Sequence, residues 1–377
     1  MKVLVGMSGG VDSSVTALLL KEQGHDVHGI TMKVWGGESQ SPNKDHHSKH
    51  ACYGPGEYKD IEDASAVAKK LNIPFTVIDL VKEYEDFVLA YFKKEYLSGR
   101  TPNPCVRCNA RVKFGFLLER ASAAGIDFDY FATGHYVRKA THPETGIPVL
   151  RKGKDFSKDQ SYFLSFLTRN VIEKTIFPLG ELTKEEVRFH ARRFGLAVSE
   201  KEESQDFIEG DYGSLFGLEV KPGPIVNENG KVLGEHRGIV HYTLGQRKGL
   251  GLGGGEPLFV IGIDATKNSV IVGSRESIMI KNMTTSDMHW TGVNPPTQPK
   301  KFHVKVRLAH KEAPAIIHPL QNGCVYIQFE TPQLAVTPGQ IAACYEEDLL
   351  VGAGTIQSVS TEAVSTENLL TSLNTSK

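Results

Sequence analysis

Val3-Leu4-Val5 runs straight into Gly6-Met7-Ser8-Gly9-Gly10-Val11-Asp12-Ser13, after which Val15, Leu18 and Leu19 recur at helical spacing. This order reads as a strand, a glycine-rich turn and a helix. Glycines let the backbone come close to a ligand, and the helix aims its first amides and positive dipole end at the loop. Ser8 and Ser13 add hydroxyl donors. The guest expected in such a loop is an anion, polyphosphate above all. The order S-G-G-x-D-S has neither the Gly-Lys-Ser/Thr of a Walker loop nor the G-x-G-x-x-G of a dinucleotide site. The plainer alternative is a tight strand-to-helix turn that binds nothing.

Outward from this loop, residues 1–205 keep alternating short apolar runs with helical patterns. Val27–Met32, Phe75–Leu80 and Tyr130–Thr133 read as strands, Asp60–Leu71 and Lys113–Ala124 as helices, with a long amphipathic helix ending at Tyr96. The alternation predicts an α/β domain: a parallel sheet covered by helices, with ligands at the carboxyl ends of its strands. Between 206 and 285 glycines and prolines recur among strand-like pieces, Pro224–Val226, Gly238–Tyr242, Leu258–Asp264 and Val270–Val272, which predicts a central β-rich domain. Residues 286–358 alternate through Phe302–Leu308, Ala315–His318, Cys324–Phe329 and Ile341–Tyr345, the pattern of a C-terminal β-barrel. The Ser/Thr/Asn/Glu-rich stretch 359–377 is expected to be a disordered polar tail.

At 377 residues and 40% hydrophobic, the chain can bury the cores of two or three domains. A net charge of −1 excludes a globally basic nucleic-acid binder, so any such partner has to be met by local patches. No signal-peptide pattern opens the chain and no window reaches the length of a membrane span. With five cysteines, two of them in a C-x-x-C, a cytoplasmic enzyme with reduced thiols is expected.

The second informative stretch is Arg100-Thr101-Pro102-Asn103-Pro104-Cys105-Val106-Arg107-Cys108-Asn109. Two prolines stiffen a loop that presents a thiol pair among Arg100, Arg107, Arg111 and Lys113, and neighbouring cations favour the nucleophilic thiolate. In a reduced compartment the pair is a redox couple, half of a metal site or a persulfide carrier. Further blocks follow in order: Ala132-Thr133-Gly134-His135-Tyr136, Lys158-Asp159-Gln160-Ser161-Tyr162 and Tyr242-Thr243-Leu244-Gly245-Gln246-Arg247-Lys248-Gly249.

The glycine loop resembles the PP-loop of the ATP pyrophosphatases. The ordered set as a whole resembles the bacterial tRNA-uridine 2-sulfurtransferase (tRNA-specific 2-thiouridylase) family, over everything but the tail. That resemblance implies a PP-loop domain of the adenine nucleotide alpha hydrolase-like type, followed by the β-rich and β-barrel domains. It implies a reaction in which ATP adenylates C2 of the tRNA wobble uridine, releasing pyrophosphate, and sulfur then displaces AMP. It also implies roles. Gly6, Met7, Ser8, Gly9, Gly10, Val11, Asp12 and Ser13 would hold the ATP phosphates, with Met32 and Gly134 near the nucleotide and Asp12 helping to position Mg²⁺. Asn103, Pro104 and Cys105 match positions that meet the target base, which must leave its stack to react. His135, Lys158, Asp159, Gln160, Arg307, Leu308 and Gln340 match tRNA-contacting positions. Lys300, Lys301, Lys305 and Lys311 extend a phosphate-contact patch around Arg307. Without the resemblance, His135 is a strand cap, Lys158-Asp159 a solvated charge pair, Arg307 the wet side of a strand, and Tyr242–Gly249 a turn.

One departure matters. The usual family member pairs a cysteine at position 108 with a second in a later block, which here reads Ser204-Gln205-Asp206-Phe207-Ile208-Glu209-Gly210. Asp206 stands where that cysteine is expected, and Cys105 stands where aspartate is usual. Two thiols and one carboxylate are kept, in permuted order. A carboxylate can carry no persulfide, which leaves two mechanisms. Either Cys105 and Cys108 form the sulfur-carrying pair, or Cys105, Cys108 and Asp206 ligate a [4Fe–4S] cluster whose open iron holds the sulfide; retention of the ligand set favours the cluster. A sulfur-donor protein is implied beside tRNA. The loop His46-His47-x-x-His50-x-Cys52 fits no standard zinc spacing and reads as a flexible polar loop, though Cys52 remains open as a third sulfur ligand. Cys324 and Cys344 read as inert core residues. Rival readings are another PP-loop adenylating ligase and a tRNA-binding protein without catalysis.

Overall fold

The computed structural model describes residues 1–37, 51–202, 206–208, 215–216, 220–253, 256–320 and 323–362. The His46–His50 loop, Gly210 and the tail beyond 362 lie outside the described residues. The chain divides into two compact units: 1–90 with 104–211 and 348–350, and 91–103 with 212–347 and 351–377.

The strands of the first unit are β1 (Lys2–Gly6), β2 (Asp26–Lys33), β3 (Ala51–Tyr53), β4 (Phe75–Asp79), β5 (Tyr130–Ala132), β6 (Val137–Thr141), β7 (Pro148–Lys152), β8 (Thr175–Ile176) and β9 (Asp206–Ile208). Five of them form a parallel sheet in the order β4-β2-β1-β5-β8. β1 is central, with Val3 opposite Val27 on one side and Tyr130 on the other. That position explains its unbroken apolar run: a parallel strand covered on both faces has no wet side. Val3, Leu4 and Val5 are all buried. Helix α1 (Val11–Glu22) packs Val15 and Leu18 into this core, and helix α2 (Glu57–Leu71) adds Ala64, Val67 and Leu71. β3 and β9 form a separate parallel ribbon, so residues 206–208 belong to this unit, past the boundary expected at 205.

The expected loop of the thiol pair is a helix. Pro104–Cys108 is its first turn, and the chain continues as a π-helix over Asn109–Phe116 and an α-helix over Leu117–Ala123. Proline lacks the N–H that a first helical residue leaves unbonded, so Pro104 starts this helix and does more than stiffen a loop. Cys105 and Cys108, three residues apart, therefore share a face.

In the second unit, β10 (Gly223–Asn227), β11 (Val232–His236), β12 (Phe259–Asp264) and β13 (Ser269–Gly273) form a four-stranded sheet ordered β11-β10-β13-β12. Then come β14 (Met279–Trp290), β15 (Lys300–Lys305), β16 (Ala313–Pro319), β17 (Val325–Leu334), β18 (Ile341–Glu346) and β19 (Leu349–Ser360). They run in the order β14-β17-β16-β15-β18-β19 and close through β14–β19 pairing, which leaves no open edge. β14 begins seven residues before the expected start at 286, and β19 continues two past 358. Gly238–Tyr242 is not a strand: Gly238 takes φ +128° and Ile239–His241 close into a 3₁₀ turn, burying Ile239 and Val240 without extension. Among the described residues no helix is long and apolar enough to cross a membrane.

Candidate active site

The glycine loop sits at the carboxyl end of β1. Its serines brace it from within: the Ser8 amide donates to Ser13 Oγ (3.1 Å), and the Ser13 and Ser14 hydroxyls donate to the Gly10 carbonyl (3.2 and 2.8 Å). Gly9 has φ +74°, and a Cβ there would lie 2.2 Å from the Asp60 carbonyl oxygen. Gly134, just past β5, would place a Cβ 2.8 Å from the Asp12 carbonyl carbon and the Ser13 nitrogen. Two elements thus press against the loop where only glycine fits. Met7, the first residue past β1, is buried, and Met32 on β2 is half-buried.

Two lysines that sequence reasoning missed complete this corner. Lys184 places Nζ 2.8 and 2.9 Å from the two carboxylate oxygens of Asp12, and Tyr136 donates its hydroxyl to Oδ1 at 2.7 Å. The Asp12 carboxylate, expected to face Mg²⁺, is thus already bonded to an ammonium and a phenol. A signal for Lys184 was available: Thr183-Lys184-Glu185-Glu186 is a capping box, and the structure closes it at the head of the helix Lys184–Arg193. Lys201 had no such signal. It donates to the Gly9 carbonyl (3.2 Å), Asp60 (2.7 Å) and Asp63 (2.6 Å), tying the loop to α2. Lys201→Met takes the ammonium from Asp60 and leaves Asp63 with Lys59 alone, and is expected to cost about 1–3 kcal/mol. A urea melt checks this; an unchanged midpoint would show the lysine to be decorative.

On the shared face of the helix that begins at Pro104, Cys105 and Cys108 are half-buried. The expected cationic activation does not hold for Cys108. Burial pushes its thiol up to about 11 against the opposing pull of Lys113, and negative charge at Cys52 raises it further. Two of the arginines are engaged elsewhere: Arg100 pairs with Glu95 at 2.7 Å, and Arg111 lies over the Phe87 ring at 5.6 Å. Lys113, one turn on, is a cation that reaches Cys108. The π-helix from Asn109 widens the backbone between the thiols and Lys113, a distortion common at functional sites. Asp206 is placed on β9 beside β3, and its side chain lies outside the described residues. Among the described residues no three His, Cys, Asp or Glu side chains converge as a metal requires, and the two C-x-x-C thiols alone do not make that set. Cys344 is buried, its thiol pushed up to about 12 by burial, whereas Cys324 is only half-buried.

His135 follows the same strand end as Gly134. Loss of solvent around its ring, helped by Lys113, holds the imidazole well below its usual range, so it is neutral; Nδ1 meets the Thr133 hydroxyl at 2.8 Å. Asp159 is buried and accepts from the Gly153 amide, the Ser161 amide and the Ser161 hydroxyl. Gln160 accepts the Tyr136 amide at 3.0 Å. These two shape the turn that carries Lys158 and have their polar groups committed inside the protein.

In the second unit, Arg307 donates to the Ala335 carbonyl (2.5 Å) and Thr337 Oγ1 (2.7 Å). It lines a cavity of about 450 Å³ with Gln246, Arg275 and His310, so the Tyr242–Gly249 block and Arg307 meet in one basic recess. Leu308 is exposed. The wider patch is partly neutralised, because Lys300 pairs with Glu346 (2.7 Å) and Lys301 with Glu330 (2.5 Å). Gln340 donates to the carbonyls of Thr101 (2.9 Å) and Pro102 (3.0 Å), bracing the segment that ends at Asn103.

A braced glycine loop at the end of a central parallel strand, followed by a β-rich and a barrel domain, defines an ATP-using enzyme of the PP-loop class. Three family models match in succession: the tRNA methyl transferase HUP domain over 1–209, the tRNA methyl transferase PRC-barrel domain over 216–274 and the aminomethyltransferase beta-barrel domain over 280–356. A tRNA-specific 2-thiouridylase MnmA of Endomicrobium trichonymphae is 44% identical over 358 residues, covering 94% of this chain and 99% of the relative. Its namesake in Acetivibrio thermocellus is 43% identical over 363 residues, with the same coverage. The chain belongs to the tRNA-specific 2-thiouridylase family. A solved 4-thiouridine synthetase–RNA complex with bound ATP overlaps 54% of this chain and 44% of its own at TM-score 0.33 and 18% identity, too slight a likeness to argue from.

Proposed function

We propose that this chain is a tRNA-uridine 2-sulfurtransferase, which adenylates C2 of the wobble uridine with ATP and replaces that oxygen by sulfur carried on its own thiols. The observation that carries this reading is the pairing, in one compact unit, of a braced glycine loop with a helix face bearing Cys105 and Cys108. The loop amides and the first turn of α1 receive the phosphates. Asp12 would help hold Mg²⁺, which would screen the triphosphate charge, and Lys184, beside Asp12, would offer its ammonium to phosphate oxygen. The base extrudes from the anticodon loop to reach Asn103, Pro104 and Cys105, a cheap step in a single-stranded loop. His135 and Lys158 on the first unit, and Arg307, Leu308 and the recess around Gln246 on the second, contact the tRNA. A sulfur-donor protein supplies the sulfur, and the need for reduced thiols fits a cytoplasmic setting.

The test is 2-thiouridine formation and pyrophosphate release with purified protein, ATP and tRNA. Pyrophosphate without tRNA dependence, or no 2-thiouridine under any sulfur supply, would sink the reading. Anaerobic iron and acid-labile sulfide analysis decides whether the Cys105, Cys108 and Asp206 set holds a [4Fe–4S] cluster.

Two further outcomes are expected. Because only thiolate is nucleophilic and the Cys108 pKa is about 11, the reactive fraction rises with pH below that value. Sulfur transfer limited by this thiol should therefore quicken about tenfold per pH unit between pH 7 and 9. Single-turnover rates measure it, and a flat profile would exclude Cys108 ionisation as limiting. Arg307→Ala should weaken tRNA binding about tenfold and reduce the salt slope by about one. A filter-binding salt titration reads both.

A further inference from the structure

Cys52, distant from the C-x-x-C in sequence, is close to it in the fold. β3 lies in parallel register with β9, Ala51 opposite Asp206 and Tyr53 opposite Ile208. Cys52 thus adjoins the direct partner of position 206, one strand spacing of about 4.8 Å across. Residue 206 is a carboxylate, which cannot carry sulfur; Cys52, one residue along from its partner, lies on the other face of the ribbon. The next residue, Tyr53, is buried and stacks on Tyr84, ring centroids 5.3 Å apart and planes 11° from parallel. Tyr84 is itself buried, and Cys108, Cys52 and Cys105 all act electrostatically on its hydroxyl. Burial raises both the Cys52 and the Cys108 thiol, and Lys113 pulls against it at each. Three thiols are therefore near Tyr84, and two of them, Cys52 and Cys108, are near Lys113. They differ in access: Cys52 is exposed, while Cys105 and Cys108 are half-buried.

We propose that Cys52 is the second catalytic thiol, taking up sulfur at the surface and forming a disulfide with Cys108 as the sulfur is delivered. The inference rests on the sulfurtransferase reading above. A persulfide donor passes its outer sulfur to the Cys52 thiolate; the donor S–S bond breaks and the donor thiolate leaves. The outer sulfur of the Cys52 persulfide attacks C2 of the adenylated uridine, and AMP departs with the former C2 oxygen and the bonding pair. Cys52 is then joined to C2 through a disulfide. The Cys108 thiolate attacks Sγ of Cys52, the S–S bond to the C2 sulfur breaks, and that sulfur keeps the pair as the base takes a proton. The resulting Cys52–Cys108 disulfide is reduced by a dithiol, which is itself oxidised to a disulfide. Lys113 lies where it favours both thiolates.

The test uses the full chain, loaded with sodium polysulfide under argon and freed of excess. It is given tRNA and ATP for one turnover without reductant, then alkylated and peptide-mapped by mass spectrometry. The expected product is a Cys52–Cys108 disulfide. Cys52→Ser and Cys52→Ala should each lose at least ~100-fold in 2-thiouridine yield per turnover, with melting temperatures unchanged, while the control Cys324→Ser keeps the wild-type rate. A Cys105–Cys108 disulfide together with an active Cys52→Ser overturns the proposal. So does stoichiometric iron and acid-labile sulfide in active protein that forms no disulfide. A wild type that makes neither tRNA-dependent pyrophosphate nor 2-thiouridine overturns the sulfurtransferase reading instead, a result distinct from an active enzyme whose Cys52 is dispensable.

Discussion

Cys108→Ser is expected to lower 2-thiouridine formation at least ~10³-fold, because a hydroxyl can neither hold sulfane sulfur nor close a disulfide. Pyrophosphate release should fall far less, since on the proposed reading the phosphates sit in the glycine loop, on another element of the same unit. Adenylated tRNA then accumulates and returns to uridine on hydrolysis. The split between the two half-reactions is the informative readout. Equal loss of both would mean that Cys108 supports the fold of the helix and not the chemistry. The side chain is half-buried, so a serine of nearly the same volume should leave the melting temperature within a degree or two, and circular dichroism separates the two cases.

Gly9→Ala should act on the other half-reaction. The added Cβ would sit 2.2 Å from the Asp60 carbonyl oxygen, a backbone atom that moves only with α2. The residue would also be forced to keep φ +74°, which costs a residue with a Cβ about 1–2 kcal/mol. Relief of the clash adds a cost of about 1–3 kcal/mol or displaces the loop. A displaced loop loses its aligned amides, so tRNA-dependent pyrophosphate release should drop about 100-fold or more. Gly10→Ala is the matched comparison: its Cβ would meet nothing nearer than Ser8 Oγ at 3.6 Å, so its loss should be small. Comparable losses in both variants would show that any side chain in the loop blocks the phosphates, whatever its contacts.

The sheet was legible because β1, β2 and β5 carry apolar runs that only a doubly covered parallel strand requires. The glycine loop was legible because its spacing serves a backbone need. The helix start at Pro104 was misread, since proline stiffens loops and opens helices alike and only the fold distinguishes the two. The thiol chemistry was misjudged for a related reason. Counting cations along the chain does not reveal that Arg100 and Arg111 spend their charge on Glu95 and Phe87. Lys201 could not be assigned to the site at all, and Lys184 and Cys52 showed only a capping box and an open thiol, because their partners lie far away in sequence: Lys184 meets Asp12, Lys201 meets Gly9, and Cys52 lies on the strand paired with β9.

The grip on the strip Arg100–Asn103 has a bearing on how this enzyme can be cut and recombined. Gln340 holds the Thr101 and Pro102 carbonyls, the Thr101 amide donates to Pro338, and the Arg100 guanidinium donates to the carbonyls of Ile356 and Gln357. Gly339 is pressed so close to Thr101 that any larger residue would collide with its backbone. The strip is encoded early and seated by the last part of the chain. A chimera that exchanges the barrel with a relative's must therefore carry the Arg100–Asn103 strip from the same parent. The natural seam for gene recombination follows this seating, and a cut drawn between the linear domains would separate a lock from its key.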